Sequence, residues 1–445
     1  MFVRKTLDAL RKWRDSEQRK PLVLRGARQV GKTTLVNEFG REFENYLSFN
    51  LERASDAALF ERELSVDALV DALFALRGQP KREGRTLIFI DEIQHSARAM
   101  ARLRYFYEER PDLHIVAAGS LLENVVDVGA SFPVGRVEFM ALRPCSFAEF
   151  LGAMGKDNLL YFADRPEESV AVHSELLSLF NQYVVVGGMP EVVQHFADHR
   201  DVVSLDAIYE ALLQGYRDDV EKYVRGRKLG EVVRFVIERG WMQAGEVVTL
   251  GGFAHSDYRA REVGEAFRLL EKAMLAELVY PTTAVAVPAM GETKRMPKLF
   301  WLDTGLVNYQ AGVRRELIGA ADIIDVWRGR IAEQVVAQEL LALSDKVSTR
   351  RCYWVKGSGT AEVDFVWTHN SRLYPVEVKS GRNSHLRSLH TFIDAAPIDV
   401  GIRVWSGAFS VEEQQTAGRG KPFRLINLPF YLLCRLPAIV ERVAQ

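Results

Sequence analysis

Gly26-Ala27-Arg28-Gln29-Val30-Gly31-Lys32-Thr33 fits the pattern G-x-x-x-x-G-K-S/T at every position. This is the phosphate loop, and it makes a nucleoside triphosphate the first ligand to expect. The flanks agree: Pro21-Leu22-Val23-Leu24-Arg25 reads as a short buried strand, and Thr34-Leu35-Val36-Asn37-Glu38-Phe39 has helical spacing. In a strand–loop–helix of this kind the glycines let backbone N–H groups wrap phosphate oxygens, and the helix N-terminus adds a favourable dipole. Gly26 through Thr34 is the expected nucleotide segment. Lys32 is expected to reach the β- and γ-phosphates and the Thr33 hydroxyl to ligate Mg²⁺.

Working outward, Leu87-Ile88-Phe89-Ile90 is a continuous apolar run that ends in Asp91-Glu92. A run apolar on both faces reads as a central parallel strand, and an acid at its C-terminal end lies where open α/β sheets bind ligands. Asp91 is expected to hold Mg²⁺ and Glu92 to polarise the attacking water. A site that only binds nucleotide has no need of the second carboxylate. A further strand, Leu113-His114-Ile115-Val116-Ala117-Ala118, ends at Gly119-Ser120, and Ser120 is placed to contact the γ-phosphate or the water.

The chain has 445 residues, 48% hydrophobic and 26% charged, with a formal net charge of −1. That length exceeds one ordinary core. No apolar run approaches the roughly 18–20 residues needed to span a bilayer. The start of the chain lacks a secretory signal pattern, and Cys145, Cys352 and Cys434 form neither a disulfide framework nor a zinc knuckle. A cytoplasmic protein without membrane partners is expected. The near-zero charge does not advertise a nucleic-acid binder. DNA contact would have to come from local patches: Arg225-Gly226-Arg227-Lys228, Arg259 with Arg261, Lys294-Arg295 with Lys298, or Arg350-Arg351. Each of these taken singly reads as solvated surface.

The pattern divides the chain in four. Residues 1–150 alternate strand-like and helix-like segments, as in a doubly wound α/β sheet. Residues 151–218 read as helices interrupted at Gly187-Gly188-Met189-Pro190, which suits a lid over the core. In 219–318, an amphipathic helix around Val232-Val233 and Val236-Ile237 is followed by a second helix through Val263 and Phe267, which Ser256 or Asp257 could cap. Two short strands then flank a loop with Pro288 and Gly291. That order suits a winged helix, with Arg259 and Arg261 on the recognition helix and Lys294-Arg295 on the wing, and equally a helical module for protein contact.

Residues 319–445 carry a second constellation. Glu333 on a helix, Asp364 on a strand and Glu377-Val378-Lys379 on the next strand have the order of the PD-(D/E)XK nuclease motif. Side chains two apart on a strand share a face, so Glu377 and Lys379 point together. Asp364 and Glu377 are expected to meet around one divalent ion, with Glu333 supporting its shell and Lys379 orienting the water. The fold could also persist as an inert docking module.

The phosphate loop, Phe89-Ile90-Asp91-Glu92-Ile93-Gln94 and Gly119-Ser120 together resemble the prokaryotic AAA-type ATPases that carry a C-terminal region of unknown function. Leu142-Arg143-Pro144-Cys145-Ser146-Phe147, Gly187-Gly188-Met189-Pro190, Trp301-Leu302-Asp303-Thr304-Gly305-Leu306 and the Glu362-to-Lys379 block look like the same family. The resemblance implies an α/β P-loop AAA-type ATPase core with a helical lid, then a winged helix, then a restriction-endonuclease-like α/β domain. Gly135-Arg136 matches the family's glycine-arginine step, so Arg136 is expected to sense the γ-phosphate in its own subunit or a neighbour's. The expected function is hydrolysis of ATP to ADP and phosphate with Mg²⁺, driving or gating a DNA-associated C-terminal half with metal-dependent nuclease chemistry. A homo-oligomer is expected, with a hexameric ring as one arrangement. The competing readings are a DNA-remodelling ATPase (branch migration or loading) with an inert nuclease fold, and an ATP-dependent protein-binding switch in a defence or toxin–antitoxin setting.

Overall fold

The apolar runs around the phosphate loop become the inner strands of a parallel sheet. The computed structural model describes residues 2–119, 135–224, 226–313, 329–357, 359–379 and 386–444, without the side chains of 220–223. Strands β1 (Leu22–Arg25), β2 (Asn45–Asn50), β3 (Thr86–Asp91), β4 (His114–Gly119) and β5 (Glu138–Ala141) lie in the order β2-β3-β4-β1-β5, and all these neighbours pair in parallel. β3 and β4 are buried at every residue and β2 at alternate ones. Continuous apolar sequence in the first two follows from burial on both faces.

Helices α1 (Thr6–Arg14) and α2 (Lys32–Gly40) pack Leu10, Trp13, Val36 and Phe39 on the sheet face that carries Leu24, Phe89 and Val116. Helices α3 (Ala54–Phe60), α4 (Val66–Arg77) and α5 (Ala97–Glu109) cover the opposite face, which carries Val23, Ile88, Ile90 and Ala117. Alternate residues of each inner strand thus enter separate cores. Each fully buried aliphatic or Phe side chain stabilises the fold by about 1.5–3 kcal/mol.

A helical segment follows: α6 (Phe147–Ala153), α7 (Asp157–Ala163), α8 (His173–Val186), α9 (Pro190–His199) and α10 (Asp206–Tyr223). α6 starts on a capping box between Ser146 and Glu149, and α9 has Pro190 in its first turn, where a missing N–H costs nothing. Next come α11 (Arg227–Arg239) and α12 (Ala260–Lys272), then an antiparallel hairpin of β6 (Ala276–Thr282) and β7 (Lys298–Trp301), and α13 (Thr304–Gln310). Val247 bridges to Lys298 outside the hairpin. α12 does not start at Ser256 or Asp257. Its N-cap is Arg259, whose N–H the Glu262 carboxylate accepts at 2.9 Å, while the Ser256 hydroxyl turns to Tyr258 N–H.

The last part contains α14 (Arg330–Ala342), β8 (Cys352–Val355), β9 (Glu362–His369), β10 (Arg372–Lys379), α15 (Arg387–Ala395), β11 (Val400–Trp405), β12 (Ser410–Gln415), β13 (Pro422–Pro429) and α16 (Leu436–Val443). The sheet here has eight strands in the order β12-β13-β11-β10-β9-β8-β6-β7. β6 pairs in parallel with β8, through Tyr280–Cys352 and Thr282–Trp354. One sheet therefore runs across the expected division at 318/319. Among the described residues, no helix is long and apolar enough to cross a membrane.

Candidate functional site

The phosphate loop leaves the C-terminal end of β1 and turns into α2 through two residues with positive φ, Gln29 at 63° and Gly31 at 91°. Gly31 is the N-cap of α2, and a side chain there would be strained. Lys32 is buried inside the turn, and its ammonium donates to the carbonyls of Gly26 at 2.9 Å and Ala27 at 3.0 Å. Burial lowers its pKa, and the nearby Glu92 and Asp91 oppose that fall.

The carboxylates arrive from β3. Because β4 lies between β1 and β3, Asp91 comes in beside the start of α2 and accepts a 2.6 Å hydrogen bond from the Thr33 hydroxyl. Its other oxygen accepts the Glu92 N–H at 3.0 Å. Glu92 itself sits at φ 51°, a left-handed turn that swings its side chain out of the strand, and Gln94 donates to its carboxylate. Burial raises the pKa of both acids. Glu52 and His95 stand next to Glu92, each offering a ligand atom within 4.8 Å of the others.

A cavity of about 1060 Å³ opens over Gly31–Thr34 and Glu92. Its far wall is Pro190, Glu191 and Gln194 of α9. Arg28 of the loop pairs with Asp219 of α10 at 2.7 Å, and the Tyr216 hydroxyl donates to the Arg28 carbonyl. Arg4, which also lines the cavity, braces the loop, donating to the Val30 carbonyl at 3.0 Å and pairing with Glu149 at 2.9 Å. Arg136 is elsewhere. It precedes β5, whose Glu138 lies beside Leu22 and whose Ala141 lies beside Arg25. That puts it at the end of the sheet opposite its own phosphate loop, where it pairs with Glu108 at 3.3 Å. Ser120 lies outside the described residues.

The second constellation also gathers, but around a lysine. β9 and β10 pair with Phe365 opposite Val376, so the next step sets Asp364 opposite Glu377. Asp364 accepts the Val378 N–H at 2.8 Å. Lys298 of β7 enters this cluster, 2.8 Å from Glu333, 2.8 Å from Glu362 and 3.4 Å from Asp364. Lys379 pairs with Glu377 at 2.8 Å, and the second oxygen of Glu377 has no hydrogen-bond partner. Glu333, Asp364 and Glu377 are not among the groups whose ligand atoms all lie within 4.8 Å of one another. Expected as ligands of one divalent ion, Glu333 and Asp364 hold an ammonium instead. Burial, then Asp364, pushes the pKa of Glu333 and of Glu377 up, and Lys298 and Lys379 oppose that rise. For Lys298, burial alone would lower the pKa, but Glu333, Asp364 and Glu362 outweigh it and raise it. The sequence suggested that Lys298 and Arg351 were surface cations. Lys298 is 4% exposed, and Arg351, 9% exposed, is paired with Glu277. Lys298 leads β7 and points into the packed acids, while Arg351, just before β8, is held by Glu277.

α14 connects the two centres. Gln334 exchanges hydrogen bonds with the Trp301 backbone at 3.0 and 2.7 Å. One turn on, Gln338 accepts from Thr304 N–H at 2.9 Å and donates to the Tyr183 hydroxyl at 2.9 Å. Glu339 accepts from the Tyr183 hydroxyl at 2.7 Å and from Phe147 N–H at 3.0 Å. Asp303 accepts the Gly188 N–H at 2.5 Å, two residues before Pro190 in the cleft wall. Burial pushes Glu339 from 4.5 up to about 7. A carboxyl with a raised folded pKa holds its proton more tightly in the folded chain. Its contribution to stability is therefore full below the ordinary value and is lost as pH rises through the folded one. Between pH 4.5 and 7 the unfolding midpoint of Glu339→Gln is expected to fall less steeply than that of the parent, as thermal scans across that range would register. Parallel profiles would mean that Glu339 is ionised throughout.

The sequence did not reveal Arg4, Asp219 or the role of Lys298. Only Lys298 left a signal, a lone cation leading the apolar run Leu299-Phe300-Trp301-Leu302.

Residues 18–151 match the family model described as AAA domain. Residues 177–317 and 328–431 match two models described as Domain of unknown function (DUF8612) and Domain of unknown function (DUF4143). No curated protein matches the chain. Solved structures with some similarity include the Walker-type ATPase paby2304 of Pyrococcus abyssi, at 15% identity and TM-score 0.44, covering 70% of this chain and 96% of that one. The Thermotoga maritima RuvB Holliday junction branch migration motor follows at 15% and 0.27, covering 62% and 90%. The Aeropyrum pernix ORC1 protein in complex with DNA follows at 13% and 0.26, covering 69% and 90%. The first third of the chain is an α/β ATPase core of the AAA type.

Proposed function

We propose that this AAA-type core hydrolyses ATP to ADP and phosphate and that the reaction gates the C-terminal half. The observation that carries the reading is the convergence of Lys32, the Thr33–Asp91 pair and Glu92 on one cleft. Thr33 and Asp91 offer hard oxygen donors of the kind Mg²⁺ takes, and the bound ion would neutralise phosphate charge. The loop N–H groups and Lys32 hold the phosphates, and Glu92 orients the water and draws its proton. Arg136, facing away from its own cleft, is assigned to a neighbour's nucleotide in a homo-oligomer.

The gating route starts at the cleft wall. α9 and α10 act as the lid, because phosphates in the cleft compete with Asp219 for Arg28. A shift of Pro190 is passed through Gly188 to Asp303 and Gln338, and so to α14, which carries Glu333. The order α11, bridge, α12, β6, loop, β7 supports a winged helix, and the order α14, β9, β10 supports a nuclease-like fold. Since Lys298 already compensates the acids, we read that fold as inert toward phosphodiesters and DNA as its partner for docking. A second reading, a protein-binding switch, is favoured by the pairs Arg227–Glu231, Lys228–Glu262 and Arg261–Glu265, which answer the cations of α11 and α12 with acids.

Lys32→Ala is expected to abolish ATP binding and turnover. With the parent protein, DNA should raise ATP turnover and bind less tightly as salt rises, since phosphate contacts release counterions. ATP turnover indifferent to DNA, with no salt-dependent DNA binding, would move the assignment to the protein switch. Turnover retained by Lys32→Ala would overturn the ATPase reading itself.

A further inference from the structure

Behind the phosphate loop, on the side away from the nucleotide cleft, lies a second cavity of about 290 Å³. Ala27 and Val30 of the loop form one wall, the end of α12 and start of β6 another, and the segment from Val347 to Arg351 a third. Six cations line it: Arg25, Arg143, Arg268, Lys272, Arg350 and Arg351. Two acids, Glu271 and Glu277, also line it. Both are engaged, Glu277 with Arg351 and Glu271 with the Leu278 N–H at 3.0 Å.

Arg143 keeps a buried Nε with no hydrogen-bond partner. Burial weighs most against its charge; Glu277 supports that charge, and Arg351, Arg350 and Arg25 oppose it. A buried donor without an acceptor is costly, and more so on a charged group, so such a donor calls for an ion or ligand. The fork of a guanidinium matches phosphate oxygens two at a time. The volume sits at the lower limit of small-molecule pockets, too little for a duplex. Apolar atoms of Met274, Leu275 and Phe300 fill out the lining.

We propose that this cavity is an anion site, separate from the nucleotide cleft, for a small ligand bearing one or two phosphate groups. Arg143 grips the ligand from inside and Arg268 and Arg350 admit it at the rim. Filling the cavity fastens the outer side of the phosphate loop to α12 and the hairpin. By reciprocity, such a ligand and ATP alter each other's affinity.

The test uses the full chain carrying Lys32→Ala, so that the nucleotide cleft contributes nothing and failure of the ATPase reading leaves this result intact. Inorganic pyrophosphate is titrated at constant ionic strength by calorimetry, alongside thermal unfolding. Saturable binding and a raised midpoint are expected. Adding Arg143→Gln should weaken that binding by roughly tenfold or more, yet leave the midpoint in anion-free buffer unchanged or higher, because a buried guanidinium with an unpartnered Nε is removed. A structural role for Arg143 would lower that midpoint. If Arg143→Gln fails to fold, the exposed rim variant Arg350→Glu carries the same expectation. No saturable binding by the Lys32→Ala protein, or affinity unmoved by these variants, would overturn the site.

Discussion

Replacing Glu92 by glutamine is expected to cut ATP turnover by roughly 10²–10⁴-fold, the usual worth of a positioned acid–base group, while ATP still binds. The amide keeps the volume and a hydrogen-bonding oxygen but cannot take a proton from water. Gln94, which donates to this carboxylate, retains an acceptor. Binding should persist because Lys32, Thr33 and Asp91 are untouched. Steady-state phosphate release and nucleotide titration on the same preparation separate the two effects. Loss of binding in step with turnover would make Glu92 a ligand-holding residue instead.

Lys298→Met is expected to destabilise the chain by about 3–5 kcal/mol, the cost of removing one member of a buried ion cluster. Glu333 and Asp364 would face each other, with Glu362 beside them, around an apolar tip. Adding Glu333→Gln should recover part of the loss, since it removes one of the acids crowded against Asp364 and Glu362. Urea unfolding of the parent, the single variants and the double variant gives the coupling. A Lys298→Met protein as stable as the parent would show that the acids manage without the lysine, and the inert reading of that centre would fall with it.

The nucleotide site was legible because its information is local. Gly26 through Thr34 are contiguous, and β3 announces itself by four apolar residues before Asp91. The partner of Asp91 could be named because both belong to one motif pair. Arg4 and Asp219 could not, since one comes 26 residues before its loop partner and the other 191 after, and they follow no spacing. The acids of the second centre were readable from strand periodicity. Their cation was not, because Lys298 comes from a hairpin 35 residues before Glu333 and 66 before Asp364. Strands β11 and β13 escaped notice although most of their residues are buried. Nothing chemical follows them to mark their ends.

β6 has a neighbour on each side, β7 from its own hairpin and β8 from beyond residue 350. What looks from the sequence like a seam is thus the middle of a sheet. A fragment ending at residue 313 strips β6 of one partner, and a fragment beginning at residue 329 leaves β8 with a bare edge; both expose rows of unpaired N–H and C=O groups that invite aggregation. The two C-terminal parts are therefore tied to each other through β6 and β8. A recombination event that exchanged one without the other would have to rebuild a strand pairing before it could gain a function.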